Sequence, residues 1–375
     1  MSDVYVAGAG MTRFGRLDAT LLGLLAEAGA GALRDAGSPE IQAIYVASMD
    51  PEELADEGSI ASLFAAYIGR PRLPSLRIET GTSSGAAAFF AAWTAVASGY
   101  HDHVLVVAGE KMTSRPTPEV AAILSRMIDP YERSYGATMP ALAALVARAY
   151  MEAHDLAPKD LAQVAVKNHA NGARNPLAHF QRPITVEEAL ESRFVAEPLR
   201  LYDCCPISDG AAAAVLTRER HRVRVAGIGH GADHLALRHR DCLTGFRATQ
   251  AAARRAYAMA GRSPRDIQVA ELHDAFTPFE IISSEDVGFF EPGQGARALA
   301  RGRTALGGDL PINPSGGLKA RGHPVGASGL AQVVEIVWQL RGEAGGRQVD
   351  ARVGLAQSIG GLASNNFVTV LEAVA

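Results

Sequence analysis

A histidine in a loop rich in glycine and proline is the first residue of this sequence that could do chemistry. Residues 311–329 read PINPSGGLKARGHPVGASG and contain Asn313, Gly322 and His323. An apolar helical pattern follows over 330–340, so the loop leads into a helix N-terminus, where free N–H groups and the helix dipole favour negative charge. A histidine there can serve as a general base near pH 7. Loop composition alone equally allows an incidental histidine in a glycine-rich turn.

The elements that must position this histidine form a pattern that occurs twice. Strand 4–10 and helix 21–36 are echoed by strand 223–229 and helix 247–260, and Gly81-Thr82 with its helix is echoed by Gly322-His323 with its helix. Apolar strands alternating with helices predict parallel or mixed sheets with helices on both faces. If a pseudo-two-fold relates the halves, the helix N-termini at Thr82 and His323 meet in one crevice at the carboxyl ends of the strands.

The pattern also predicts three segments. The first half covers 1–110 and 206–220, and the second covers 221–375. Between them, 111–205 contains turn signals, helical patterns and a polar stretch, which indicates an inserted lid-like loop subdomain.

Composition excludes several classes of protein. The chain has 375 residues, of which 48% are hydrophobic, and a formal net charge of −4, so a large core is expected and neither nucleic acid nor a membrane is expected as a partner. The three cysteines, Cys204, Cys205 and Cys242, show no Cys-x-x-Cys spacing, which favours a reducing compartment and argues against a metal site. We see no secretory signal and no apolar stretch of about 18 residues, so we expect a cytoplasmic protein.

Six motifs, in one order along nearly the whole chain, resemble the thiolase superfamily, and most closely its sterol-carrier-protein branch. They are GEKMT at 109–113, KNH at 167–169 with NP at 175–176, DCCPISDGAA at 203–212, ELHDAF at 271–276, the loop 313–329, and GLAQSIGG at 354–361. The resemblance implies an α/β thiolase fold with duplicated βαβαβ halves in a five-layered αβαβα core. It also implies a homodimer, coenzyme-A thioesters as substrates and no bound cofactor.

The chain departs from this family where the family places its sulfur atoms. In the family, a cysteine at a helix N-terminus is acylated, and a second cysteine moves the α-proton of the other substrate. Here the nucleophile position is Thr82, and the two positions that carry the second cysteine in different branches are Ala275 and Ser358. A threonine hydroxyl is far less acidic than a thiol and needs a strong neighbouring base, so thiolysis through an acyl-cysteine is not expected.

The family's two histidines are nevertheless present. In the family the equivalent of His323 is the base, and the equivalent of His273 helps bind the thioester oxygen. Two imidazoles and helix N-terminal N–H groups around one thioester carbonyl form an oxyanion hole, which stabilises an enolate as well. Such a site suits aldol addition, retro-aldol cleavage or decarboxylation. Thiolase-like aldolases of this kind use tyrosines as acid and base, and this chain has no tyrosine after Tyr257.

We therefore predict two groups of site residues and no metal site. The catalytic candidates are His323, His273, Thr82, Asn313 and Ser358. The candidates for binding the substrate or coenzyme A are Gly322, Gly360, His169, Asn171, Arg174 and Ser83. Each has an ordinary structural alternative: Thr82 as the N-cap of a helix over 83–98, Asn313 as a turn residue, Ser358 as a volume filler, and the residues of the inserted segment as solvated side chains. We expect Cys204 and Cys205 to be packed thiols.

Three functions follow from this sequence. The first is an enzyme that makes or breaks a C–C bond of an acyl-CoA through an enolate. The second is a thiolase-type acetyl-CoA C-acyltransferase that uses Thr82 or a neighbouring serine as nucleophile. The third is a non-catalytic subunit of a heteromeric thiolase. The resemblance also implies a small partner chain with an OB-fold and a zinc ribbon.

Overall fold

The computed structural model describes residues 2–374. It contains eleven strands within that range: β1 (Tyr5–Met11), β2 (Ala43–Ala47), β3 (Ser75–Ile78), β4 (His103–Glu110), β5 (Phe194–Ala196), β6 (Leu199–Arg200), β7 (Gly210–Thr217), β8 (Val223–Ala232), β9 (Val269–Glu271), β10 (Val353–Gly360) and β11 (Asn365–Ala373).

Fourteen α-helices lie in the same described range. They are α1 (Leu21–Asp35), α2 (Pro51–Ala55), α3 (Ile60–Tyr67), α4 (Ser84–Ala97), α5 (Thr117–Ser125), α6 (Pro130–Ser134), α7 (Met139–His154), α8 (Pro158–Gly172), α9 (Val186–Glu191), α10 (Arg247–Ala260), α11 (Thr277–Asp286), α12 (Gly295–Ala300), α13 (Gly317–Ala320) and α14 (Ser328–Arg341).

Nine strands form one mixed sheet in the order β3-β2-β4-β7-β1-β8-β11-β10-β9. Strand β2 is parallel to β3 and β4, and β10 is parallel to β9, whereas the other pairs are antiparallel. The halves are joined through β1 and β8, where only Tyr5↔Arg224 and Val6↔Val223 pair. The sheet therefore consists of two parts, one from each half, and a short seam between β1 and β8 connects them.

The predicted duplication is confirmed strand by strand. Strands β1, β2, β4 and β7 of the first half occupy the places that β8, β9, β10 and β11 occupy in the second. The counterpart of β3 is the start of the glycine-rich loop, because Ile312 forms a parallel bridge with Ala270. The loop that carries the candidate histidine is thereby anchored to the edge of the second sheet.

Hydrophobic packing arranges the chain in five layers, as the sequence predicts. Helix α1 packs on one side of the first sheet with Leu24, Leu25 and Ala28. Helices α4 and α14 form the central layer, and their apolar residues pack in one cluster with residues of both sheets. Helix α10 covers the outer face of the second sheet. Helix α14 is buried on nearly all its faces, since protein surrounds it, and its buried residues include Gln332, Glu335 and Gln339.

The segment predicted as an insertion is not a loose lid. Helices α7 and α8 bury Leu142, Tyr150 and Val164 in one cluster with Phe279 of α11 and Leu318 of α13. This part of the chain is therefore fixed against the second half. Its boundaries as a domain, at 111 and 205, stay predictions.

Candidate active site

The N-termini of α4 and α14 meet in the middle of the molecule. A Cβ atom on Gly85 would lie 2.7 Å from the carbonyl oxygen of Gly326, and one on Gly329 would lie 2.8 Å from the backbone nitrogen of Ala86. Only glycine permits so close an approach of two backbones. The predicted convergence of the two helix N-termini is confirmed, and it brings the loop of His323 next to the segment of Thr82.

His323 lies just before α14 and is 5% exposed. Its Nδ1 is 2.6 Å from the hydroxyl oxygen of Ser328, and that hydroxyl donates to the carbonyl oxygen of Pro324 at 3.0 Å. Since a hydroxyl has a single hydrogen, Ser328 accepts the Nδ1–H of the imidazole in this arrangement. The other ring nitrogen, Nε2, then carries a free lone pair. Gly322, with φ +115°, forms the backbone turn that comes directly before this histidine.

His273 packs edge-on against His323, with ring centroids 5.1 Å apart at 90°. Its backbone N–H donates to Oε1 of Gln357 at 2.9 Å, which fixes the end of β9. Its Nδ1 is buried and has no hydrogen-bond partner. A buried N–H without a partner costs free energy, so the favoured tautomer of His273 carries no hydrogen on Nδ1. Its hydrogen is then on Nε2, which can donate.

Both imidazoles are neutral at pH 7. Burial first, and then the nearby Arg321 guanidinium, lower the pKa of His323 to about 3. The pKa of His273 is also well below its usual range, because of burial first and then of His323 and Arg321. Neutral imidazoles can donate from one nitrogen and accept at the other, which gives one carbonyl site both an oxyanion donor and a base.

Thr82 is buried, and its hydroxyl donates to the carbonyl oxygen of Ile359 at 2.6 Å. The structural alternative for Thr82, as the N-cap of a helix over 83–98, is wrong: α4 begins at Ser84, and its N-cap is Ser83, which makes no side-chain cap bond. The hydroxyl of Thr82 thus donates its proton to a backbone carbonyl. A hydroxyl nucleophile needs a base to accept that proton, and this carbonyl is not such a base.

Three other predicted site residues are chain neighbours of Thr82 and Ile359: Ser83 follows Thr82, and Ser358 and Gly360 flank Ile359. Ser83 is fully buried, and its hydroxyl lies 2.9 Å from the carbonyl oxygen of Thr80. Gly360 packs on Ser83, where a Cβ atom would lie 2.4 Å from the serine hydroxyl. The hydroxyl of Ser358 is buried without a partner, and a Cβ atom on Gly329 would lie 2.7 Å from it. Ser83 and Gly360 therefore shape this site through packing.

Asn313 is fully buried at φ +56° and holds the loop in place. Its Oδ1 accepts from the backbone N–H of Leu272 at 2.8 Å, and its Nδ2 donates to Oε2 of Glu280 at 2.7 Å. Glu280 also pairs with Lys167 at 2.9 Å. Both ends of the Asn313 amide are engaged within the protein, which favours the turn interpretation of this residue.

The predicted binding residues of α8 and of the turn after it are not gathered around His323. His169 stacks on Phe180 and lines a cavity of about 410 Å³, and burial lowers its pKa to about 4. Asn171 and Arg174 line a different cavity, and Nδ2 of Asn171 donates to the carbonyl oxygen of Asn313 at 2.9 Å. Their predicted contacts with coenzyme A stay predictions.

The cavity that reaches His323 has a volume of about 490 Å³, and its wall contains Cys204, Cys205, Phe276 and His179. His179 was not predicted from the sequence as a site residue, and Cys204 and Cys205 were predicted only as packed thiols. Burial raises the pKa of both cysteine thiols to about 12, so they are neutral at pH 7 and behave as apolar wall. The one signal for His179 is its position three residues after the Asn-Pro motif at 175–176.

Comparison with known proteins identifies the family. The model of the thiolase N-terminal domain matches residues 4–220, and the model of the thiolase C-terminal domain-like family matches residues 229–373. The chain belongs to the thiolase family.

Similar proteins support this assignment along the whole chain. An acetyl-CoA acetyltransferase of Methanothermobacter thermautotrophicus is 44% identical, covering 99% of this chain and 100% of its own. The BbsB subunit of the benzoylsuccinyl-CoA thiolase of Thauera aromatica is 34% identical, covering 96% and 94%. The solved structure of an Ltp2-ChsH2(DUF35) aldolase matches with a TM-score of 0.85 at 26% identity, covering 99% and 98%. This chain is thus an acyl-CoA enzyme of the thiolase family.

Residues 2–374 contain no candidate metal centre and no helix that could span a membrane. No three side chains of histidine, cysteine, aspartate or glutamate in this range come together in a group that could bind a metal ion. None of the helices in this range has the length and apolar character that a membrane span requires.

Proposed function

We propose that this thiolase-family enzyme makes or breaks a C–C bond next to the thioester of an acyl-CoA through an enolate, without an acyl-enzyme. The observation that carries the proposal is the pair of neutral imidazoles, His273 and His323, 5.1 Å apart where two helix N-termini meet. This pair can polarise a thioester carbonyl and remove a proton from its α-carbon. No thiol stands at position 82 to be acylated.

The two histidines divide the work by their tautomers. The Nε2–H of His273 donates to the thioester oxygen, and the bare Nε2 of His323 accepts the α-proton. The resulting imidazolium of His323 is stabilised by the enolate charge beside it, which offsets the burial that keeps its pKa near 3 in the free enzyme. Preorganised donors in a buried site stabilise the developing charge more than water does, because they need no reorientation as that charge develops.

Acyl transfer through Thr82 is the second candidate, because a relative with 44% identity is called an acetyl-CoA acetyltransferase. This route requires the hydroxyl proton of Thr82 to leave the carbonyl of Ile359, to which it is bonded at 2.6 Å. It also requires a base that reaches the hydroxyl. The observed bond therefore favours the enolate route.

Intact-protein mass spectrometry during incubation with acetyl-CoA separates the two routes. The enolate route predicts no increase in protein mass, and α-proton exchange that persists in Thr82→Val and is lost in His323→Asn. A mass increase equal to one acetyl group, absent in Thr82→Val, would establish acyl transfer instead. Thr94→Val is the matched control: Thr94 also donates to a backbone carbonyl, that of Phe90 at 2.9 Å, but on the exposed side of α4.

A second protein chain at the cavity mouth belongs to the same proposal. Val195 and Leu201 line the cavity, and they are exposed together with Phe194 and Leu145. The similar aldolase is an Ltp2-ChsH2(DUF35) assembly, which supports the partner chain that we predict. The predicted homodimer and the cytoplasmic location stay predictions. Co-expression with candidate partner chains, read as retention on an affinity-tagged copy of this protein, tests the association.

A further inference from the structure

Cleavage of a C–C bond next to a thioester needs a second acid–base group. His273 and His323 serve the thioester and the α-carbon, but the oxygen on the next carbon, C3, must also lose or gain a proton. The sequence has no tyrosine after Tyr257 to do this. Among the described residues that line the cavity of His323, one other titratable imidazole is present, that of His179.

The backbone of His179 is fixed directly to the loop of His323. The N–H of His179 donates to the carbonyl oxygen of Arg321 at 2.8 Å, and the N–H of Phe180 donates to that of Ala320 at 2.9 Å. Residues 179 and 180 therefore run beside the glycine-rich loop, and the placement of the two histidines is coupled through main-chain bonds.

The side chain of His179 repeats the arrangement found at His323. Its Nδ1 lies 2.9 Å from the hydroxyl oxygen of Ser208. Ser208 accepts the backbone N–H of His323 at 3.2 Å and donates its own hydrogen to the carbonyl oxygen of Pro206 at 3.4 Å. All three contacts are satisfied when Nδ1 of His179 carries the proton, which leaves its Nε2 bare. The pair Ser208 and Pro206 thus does for His179 what Ser328 and Pro324 do for His323.

We infer that His179 is the catalytic acid–base residue for the oxygen on C3 of a 3-hydroxyacyl-CoA substrate. This inference rests on the proposed enolate route. It names the substrate class of the site: an acyl-CoA with a hydroxyl group on C3, or the corresponding aldehyde or ketone together with a shorter acyl-CoA in the reverse direction.

The step balances with His179, His323 and solvent as the proton carriers. Nε2 of His179 takes the proton of the C3 hydroxyl, the C2–C3 bond breaks, and its electron pair forms the enolate of the thioester under His273. The carbonyl compound leaves, His179 gives its proton to solvent, and C2 receives a proton from solvent through Nε2 of His323. Burial lowers the pKa of His179 below its usual value, against the opposing effect of Asp209, so its neutral, proton-accepting form prevails at pH 7.

Variants of His179 separate catalysis from positioning. In His179→Asn the amide N–H can still donate to Ser208, but the second ring nitrogen is gone. His179→Ala opens space that free imidazole can enter. His234→Asn is the control, since His234 is an exposed histidine that does not line the cavity.

Two reactions are measured with each variant. The first is cleavage of a panel of 3-hydroxyacyl-CoA esters, including 3-hydroxy-3-phenylpropionyl-CoA, read as released aldehyde. The second is exchange of the α-protons of acetyl-CoA in D₂O, which needs no acid–base group at C3. Loss of a catalytic acid–base residue costs about 10²- to 10⁴-fold in rate. We expect that loss in cleavage for His179→Asn and His179→Ala, partial rescue of His179→Ala by imidazole, and exchange in both variants at the rate of the unsubstituted enzyme.

The outcomes distinguish this inference from the proposed function. Cleavage by His179→Asn at the unsubstituted rate would overturn the role of His179 and leave the enolate route standing. Exchange without cleavage of any panel member by the unsubstituted enzyme would overturn the substrate class and this role together. Absence of exchange in the unsubstituted enzyme would overturn the proposed function itself. A drop in cleavage and exchange by the same factor in His179→Asn would assign His179 to positioning of His323 and contradict a role at C3.

Discussion

Replacing Ser328 by alanine tests whether the tautomer of His323 is set by its serine. Ser328 is fully buried, accepts from Nδ1 of His323 at 2.6 Å and is not part of the cavity wall. Without it, an Nδ1–H would be buried with no partner, at a cost of about 1–3 kcal/mol. The ring would then favour the tautomer that carries the proton on Nε2, the nitrogen that must accept the α-proton.

That cost sets the expected loss of rate. If the reactive tautomer is disfavoured by about 1–3 kcal/mol, turnover falls about 5- to 140-fold. Because Ser328 does not touch the cavity, KM should stay within about twofold. The assay is the rate of deuterium incorporation into acetyl-CoA as a function of its concentration, which reports kcat and KM separately.

Ser284→Ala is the matched control for this variant. Ser284 is a buried helical serine whose hydroxyl donates to the carbonyl oxygen of Ile281 at 2.6 Å, much as Ser328 donates to Pro324, but no histidine contacts it in the described structure. We expect Ser284→Ala to keep its kcat. An unchanged kcat in Ser328→Ala would refute the tautomer argument, and an equal loss in both variants would assign the effect to general destabilisation.

Three further predictions concern the same residues and their supports. The pKa of His323 is about 3 and that of His273 is well below 6.5, so both stay in the active neutral form as pH falls. We therefore expect kcat/KM for exchange to be constant from about pH 5 to 8. A fall in kcat/KM centred near pH 6.5 would contradict this. Replacing Glu280 by alanine removes the carboxylate that pairs with buried Lys167 and that accepts from Asn168 and Asn313, so the free energy of unfolding measured with urea should fall by about 3–5 kcal/mol. A loss below about 1 kcal/mol would show that this network is not structural. With thiol pKa values of about 12, Cys204 and Cys205 should resist iodoacetamide at pH 8 until the protein unfolds, and rapid labelling of the folded protein would show that they are reactive.

Much of the fold could be predicted because both halves repeat one pattern of elements. Apolar strands without a polar face and helices that end at Gly37 and Gly261 are local signals that each half gives independently. The convergence of α4 and α14 also followed, because a pseudo-two-fold axis places equivalent helix N-termini together. The seam between β1 and β8 did not follow, because two residue pairs leave no trace in hydrophobic periodicity.

The site was harder to predict because its wall comes from segments far apart in the chain. His323 and His273 were found from their motifs, but their neutral state depends on burial, which a sequence does not display. The capping role of Thr82 failed because its hydroxyl bonds to Ile359, which is 277 residues away and has no local signal. His179 was missed for the same reason: its partner, Ser208, is brought to it only by folding.

The central claim is that this site forms an enolate from an acyl-CoA without a covalent acyl-enzyme. The most direct test is incubation with acetyl-CoA in D₂O, with the deuterium content of acetyl-CoA and the intact mass of the protein measured in the same samples, for the unsubstituted enzyme and for His323→Asn. We expect deuterium at the α-carbon, no added protein mass, and loss of exchange in His323→Asn. An acetylated protein, or exchange that His323→Asn leaves unchanged, would contradict it.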